Sequence, residues 1–167
     1  MNKRTDSSKN DILLKYLIVL ARCYSTGSFY DLFPLLAEDV VWESQCVLEP
    51  RCGKPVVMTY YIDKGKRFRT NHCCPDCYII RFVGGLNTVR GAHATINGVE
   101  EFHGSVGILY PEGKYAMFMH QYVNGETVTG IVDLQLDEND LISRIDLCLP
   151  EFYRFEIVDP STYQEAN

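Results

Sequence analysis

The chain has 167 residues, 46% hydrophobic and 12% aromatic, enough to bury one sizeable core and too few for two ordinary domains. A net charge of −6 excludes the broad basic face needed to release counterions from nucleic acid or to hold an anionic membrane. Seven cysteines, an odd number scattered at positions 23, 46, 52, 73, 74, 77 and 148, do not make the dense framework of a disulfide-stapled domain and point to a reducing, cytoplasmic setting.

Residues 1–10 are polar and read as a frayed or disordered N-terminus, followed by a single domain over 11–158 and a tail over 159–167. The apolar run Ile12 to Ala21 contains Lys15 and is too short to span a bilayer, so neither membrane insertion nor export is expected. Leu13, Tyr16, Leu17, Leu20, Cys23 and Tyr24 recur at three- and four-residue steps and predict a first helix, capped by Asn10 or Asp11. A turn at Gly27-Ser28 leads to a second helix over Phe29 to Ala37, which tolerates Pro34 only in its first turn or at a kink. An acidic break at Glu38-Asp39 precedes a β-rich run, Val40 to Ser44. Gly53-Lys54-Pro55 then opens a third helix to about Arg67, with Val57, Tyr60 and Tyr61 on or near its buried side.

After Cys77 the period becomes alternating, and turn signals at Pro111 to Lys114, Asn124-Gly125 and Asp137 to Asp140 divide an antiparallel meander. Asn-Gly is the strongest, because a two-residue hairpin loop needs positive φ at both central positions. It sets Val123 opposite Glu126, Met119 opposite Gly130 and Met117 opposite Val132. The next turn gives Leu134 opposite Ser143 and Val132 opposite Ile145 by the same logic. Tyr115, Met117, Met119, Val132, Leu134, Leu136, Ile145, Leu147 and Leu149 then share a face assigned to the helices. Phe118, His120, Tyr122, Ile131, Asp133, Gln135, Arg144 and Asp146 share the other, whose apolar centre predicts a subunit contact through Phe118, His120, Ile131, Asp133 and Arg144.

Gly27-Ser28-Phe29, Leu36 to Ser44, Gly53-Lys54-Pro55 and the closing hairpin at Asp137-Glu138 resemble the nuclear-transport-factor-2-like superfamily, which includes ketosteroid isomerases and polyketide cyclases. The resemblance covers roughly Asp11 to Leu149 and is better evidence of fold than of activity. It implies an α+β cone, a cystatin-like roll in which three N-terminal helices pack on a strongly curved antiparallel sheet. It also implies a pocket between helices and sheet, and homodimers formed through the outer sheet surface. The isomerase branch uses a carboxylate base, a helical tyrosine and a second acid, and those positions fall here on Ser44, Leu20 and Val132. None of the three can do that chemistry, so no catalytic set is assigned, unless a one-residue bulge turns Asp133 inward.

Cys74-Pro75-Asp76-Cys77, after His72 and Cys73, offers half of a zinc site, which Cys46 and Cys52 would complete only if their loop folded against it. It also looks like a dithiol motif, but lacks the helix N-terminus that activates one. Reduced cysteines, packed as small hydrophobes or exposed in a loop, are the expectation, and no metal or cofactor is assigned. Lys64, Lys66, Arg67 and Arg69 end the third helix, where cations suit its dipole. Arg144-x-Asp146 beside Asp133 resembles the arginine and paired carboxylates of some epoxide hydrolases of the superfamily, although the register, with Asp133 opposite Arg144, makes an ordinary ion pair. His93, His103 and His120 share no ligand spacing.

The pocket is the best functional candidate. Trp42 and Ser44 share a strand face, and Tyr16, Tyr60, Met117 and Met119 join them in a lining that is apolar with a few hydroxyls. The expected function is non-catalytic binding of a small apolar or aromatic molecule. The alternatives are an isomerase, cyclase or dehydratase-like enzyme in the same pocket, and a domain that only dimerises or docks a partner.

Overall fold

The structure, a computed structural model, describes residues 6–45, 47, 49–83, 87–96, 99–150 and 153–163. Helix α1 runs Asp6–Thr26, beginning ahead of the boundary read at Asp11, and its apolar stripe buries Leu13, Leu17, Leu20 and Tyr24. The expected second helix is instead a short 3-10 turn, Tyr30–Leu35, and strand β1 starts at once, as Leu36–Ser44. Pro34 lacks the N–H that a continuing α-helix would require, which holds this segment to a tight turn. Leu36 and Ala37, read as helical, are buried strand residues. Two strand residues, β2 (Arg51–Cys52), precede α2 (Lys54–Thr70), which has Pro55 in its first turn. Two α-helices and a 3-10 turn therefore replace the three expected helices.

The remaining strands are β3 (Asp76–Phe82), β4 (Asn87–Ile96), β5 (Val99–Leu109), β6 (Tyr115–Val123), β7 (Glu126–Leu136), β8 (Ile142–Cys148) and β9 (Phe155–Ile157). Of the nine strands described, seven form one sheet in the order β2-β1-β8-β7-β6-β3-β9, while β4 and β5 pair with each other as a separate hairpin. The sheet is mixed rather than antiparallel, because β8 lies parallel to β1, with Trp42 beside Ile145 and Ser44 beside Leu147. Period-two alternation tells which face a side chain takes but not the direction of the neighbouring strand.

The Asn124-Gly125 turn has φ of 51° and 87°, and it sets Val123 opposite Glu126, Met119 opposite Gly130 and Met117 opposite Val132, as its type demands. The next register departs from expectation. Leu136 pairs with Ile142, a shift follows, and Leu134 then lies opposite Ile145 and Val132 opposite Leu147. Asp133 is consequently opposite Asp146, not Arg144, and Arg144 is opposite Gln135. Beyond the shift the displacement is by two residues, so Ile145 and Leu147 stay on the helix side, where Ile142, before the shift, joins them.

Both faces of the sheet carry a core. On the helix side Leu17, Leu20 and Tyr24 of α1 and Val57, Tyr61 and Phe68 of α2 meet Trp42, Met117, Val132 and Leu134. Four rings lock the helices together, with Tyr24 5.1 Å from Phe29 and 6.0 Å from Phe68, and Phe29 4.6 Å from Tyr61, between centroids. The close approach depends on Gly27 (φ 68°) and Gly65, since a Cβ on Gly65 would sit 2.3 Å from the Gly27 carbonyl oxygen. Arg69 Nη1 donates to that same oxygen. On the outer side a second cluster forms from Ile80, Phe82, Tyr110, Ala116, Ile131, Cys148 and Tyr153. Among the described residues no helix is long and apolar enough to cross a membrane.

Candidate functional site

Helix α2 builds the site because its stripe is not wholly apolar. Val57, Tyr61 and Phe68 are buried at helical spacing, and Lys64 occupies the same stripe between Tyr61 and Phe68. The Lys64 ammonium lies 5.5 Å from the Tyr24 ring centroid, 5.3 Å from Tyr60 and 5.4 Å from Phe68, and donates to the Tyr60 hydroxyl at 3.0 Å. No carboxylate pairs with it among the described residues. Burial, then the nearby Arg67 and Arg51 charges, lowers its pKa to about 8.

Across from it, strand pairing places Arg51 opposite Trp42. The Arg51 guanidinium lies 4.6 Å from the Trp42 ring and 4.3 Å from Tyr60, whose rings are themselves 4.5 Å apart. Such stacking suits a planar cation. Among the described residues the buried Nη1 of Arg51 nevertheless has no hydrogen-bond partner. Burial pushes the Tyr60 phenol up to about 12, with Arg51 and Arg67 opposing, so it stays protonated and can donate. Burial also holds Tyr24 and Tyr61 well above the usual phenol range.

Against this arrangement lies an open groove of about 950 Å³, lined by Arg51, Pro55, Val56, Thr59, Tyr60, Asp63, Lys66, Arg67, Thr70 and Asn71. Three cations face one carboxylate in it. A second cavity of about 490 Å³ lies between Lys9 to Leu13 and the Pro111 to Lys114 turn.

Of the six residues expected to line a pocket, Trp42 and Tyr60 come into ring contact, and Tyr60 lines the groove. Trp42, Ser44 and Met117 are buried, and Tyr16, Tyr60 and Met119 are half-buried and packed against the helix-side core. Arg51 and the special position of Lys64 were not expected. Lys64 had a signal in the sequence, its place on the stripe of Val57, Tyr61 and Phe68, whereas nothing near Arg51 marks it out.

The expected contact residues divide. Ile131 and Asp133 are fully buried within the chain on the outer side, while Phe118, His120 and Arg144 remain partly exposed. Lys114 Nζ lies 2.7 and 3.0 Å from the two Asp133 oxygens and 5.1 Å from the Tyr110 ring. Burial raises the Asp133 carboxyl and Lys114 opposes it. Arg144 donates to both Asp146 oxygens at 3.1 Å and to Glu43. The inward bulge that would turn Asp133 toward the helices is not present. Leu20, Ser44 and Val132, where the resemblance would put a tyrosine, a carboxylate base and a second acid respectively, are all buried.

Cys73, Cys74 and Cys77 are half-buried free thiols, and burial lifts Cys77 to about 12. Among the described residues no group of three His, Cys, Asp or Glu is arranged around a metal position. Cys46 and the side chains of His93 and His103 lie outside the described residues.

No family model matches the chain, and no curated protein does. Among solved structures it is similar to a Silicibacter pomeroyi protein with a cystatin-like fold, 15% identical, covering 82% of this chain and 76% of that one at a TM-score of 0.47. It is also similar to a steroid delta-isomerase from Pseudomonas aeruginosa, 14% identical, covering 92% and 84% at 0.46. A third is a de novo designed protein with a curved β-sheet, 19% identical, covering 85% and 88% at 0.46. With helices on one face and β8 parallel to β1, the chain is an α+β protein with a mixed sheet.

Proposed function

We propose that the chain binds a small anionic molecule with a flat apolar part, in the groove between Arg51 and α2. The observation that carries this is the buried Arg51 Nη1 without a partner, in a groove where Arg51, Lys66 and Arg67 outnumber the single acid Asp63. A carboxylate or phosphate oxygen supplies the missing acceptor, and a charge-assisted bond of this kind contributes about 1.5–3 kcal/mol. Tyr60 offers the apolar part a ring face. The reading moves the expected ligand from the interior to the rim. Tyr24, Tyr61, Trp42 and Met117 fill the interior themselves.

Calorimetry with naphthoate and its neutral isostere naphthamide tests this. Naphthoate should bind at least about tenfold more tightly, and Arg51→Met should remove the difference, for a loss of roughly 10- to 100-fold. Equal affinity for the two compounds, or no binding of either, overturns it.

Homodimerisation through the outer face is a second reading, favoured by exposed Tyr78, whose ring lies 6.4 Å from that of Phe118, and by exposed Tyr122 further along β6. Ile131 and Asp133 would not take part, being covered within the chain. Sedimentation of a monomer at micromolar concentration would count against it.

A further inference from the structure

We infer that Lys64 is a nucleophilic amine, which forms an imine with an anionic aldehyde or ketone held in the Arg51–Tyr60 groove. The inference deepens the binding reading and rests on it.

Three pieces of geometry carry it. The amine is surrounded by the rings of Tyr24, Tyr60 and Phe68 and, among the described residues, has no carboxylate to hold its proton. It is fixed in place, because Lys64 shares a helical stripe with buried Val57, Tyr61 and Phe68. Tyr60 joins it to the groove, since its hydroxyl lies 3.0 Å from Nζ while its ring stacks under Arg51 at 4.3 Å and lines the cavity. A surface lysine has none of these. The charged and titratable groups around the amine are Arg51 from β2, Arg67 and Tyr60 from α2 and Tyr24 from α1. Its lowered pKa of about 8 agrees with that setting, because desolvation and neighbouring cations both favour the neutral amine.

The step balances without an oxidant. The lone pair of neutral Lys64 Nζ adds to the carbonyl carbon, and the carbonyl π pair moves to its oxygen, which takes the Tyr60 hydroxyl proton. The nitrogen returns a proton to the phenolate, giving a carbinolamine. Loss of hydroxide, protonated to water, leaves the carbon–nitrogen double bond, so one amine and one carbonyl yield one imine and one water. Arg51, with its unpartnered Nη1, holds the anionic group.

The test uses the full chain and pyridoxal phosphate, a flat anionic aldehyde, at limiting concentration. Borohydride trapping and peptide mass spectrometry then read the labelled lysines. Lys64 should be labelled at least about tenfold ahead of Lys9, Lys15 and Lys66, with half-maximal labelling near pH 8. Arg51→Met, shown folded by circular dichroism, should lower labelling at Lys64 and leave the other lysines unchanged. Labelling spread evenly, or least at Lys64 as a merely packed amine would show, overturns the inference. Naphthoate separates the two readings. If it binds and Lys64 stays unlabelled, the amine fails and the binding site stands. If Lys64 is labelled selectively but neither naphthoate nor Arg51→Met affects it, the amine stands and the groove fails.

Discussion

Two lysines reach into the two faces of one sheet and meet opposite surroundings. On the outer side Lys114 enters beneath Tyr110 and finds the carboxylate of Asp133 at 2.7 Å, so that a fully buried acid and its cation share one site. On the helix side Lys64 enters between Tyr24, Tyr60 and Phe68 and finds rings and one phenol oxygen. Breaking a buried pair strands a charge, whereas an amine without a counter-ion escapes the cost of burial by releasing its proton. The outer site is therefore a structural tie, and the inner one a reactive group.

The largest expected effect breaks the tie. Lys114→Met leaves Asp133 buried without a cation and should cost about 3–5 kcal/mol in urea unfolding. The cost should shrink at acid pH, because a protonated carboxyl needs no partner, and adding Asp133→Asn should recover most of it. Next comes Lys64→Met, which sharpens the contrast. Lys64 has a folded value of about 8 against 10.5 for an ordinary lysine. Between the two the unfolded chain holds a proton the folded chain has released, so stability attributable to this group rises with pH across that window. Below about 8 both states hold the proton, and the variant should be the more stable by up to about 3 kcal/mol. The raised Cys23 and Tyr60 values act in the opposite direction at alkaline pH, but they are common to both proteins. An unchanged difference in stability from pH 7 to 10.5 would erase the distinction between the two amines.

The two faces of the sheet are legible in the sequence, and their contents less so. One Asn-Gly turn fixed the pairing of β6 with β7, because only one hairpin geometry satisfies two positive φ angles. The pairing of β7 with β8 was misplaced by two residues, since a register shift beside Leu136 leaves no mark in the alternation. Asp133 was thus put on the correct side with the wrong partner. It sits beside Tyr110, far away in the chain, and no local pattern announces such a neighbour. The second helix failed for a different reason, as its apolar residues fit a helix but Pro34 does not. Lys64 was visible as a charge on an apolar stripe, yet the helix dipole offered an easier account of it.

A smaller effect follows from the joint that seats Lys64. In Gly65→Ala the new Cβ would approach the Gly27 carbonyl oxygen to 2.3 Å, and backbone cannot yield as a flexible side chain would. A shift of α2 should cost about 1–3 kcal/mol. The same shift should return the Lys64 labelling profile toward that of an ordinary lysine, which a purely global loss of stability would not do.

The smallest effect concerns the turn that separates the faces. Asp137 Oδ1 accepts from the Asn139 and Leu141 backbone N–H groups at 2.8 and 2.9 Å, closing the connection from β7 to β8. Asp137→Ala removes both bonds at a half-exposed site, where water replaces them, so the loss should be about 1 kcal/mol. Hydrogen exchange should quicken at Asn139 and Leu141 and hold steady at Val132, Leu134 and Ile145. A slip of one residue would turn Asp133 inward and Val132 outward, and the cost would then approach that of Lys114→Met. If the two variants destabilise equally, the turn rather than the buried ion pair keeps the acids on the outer side, and the tie assigned to Lys114 belongs to Asp137 instead.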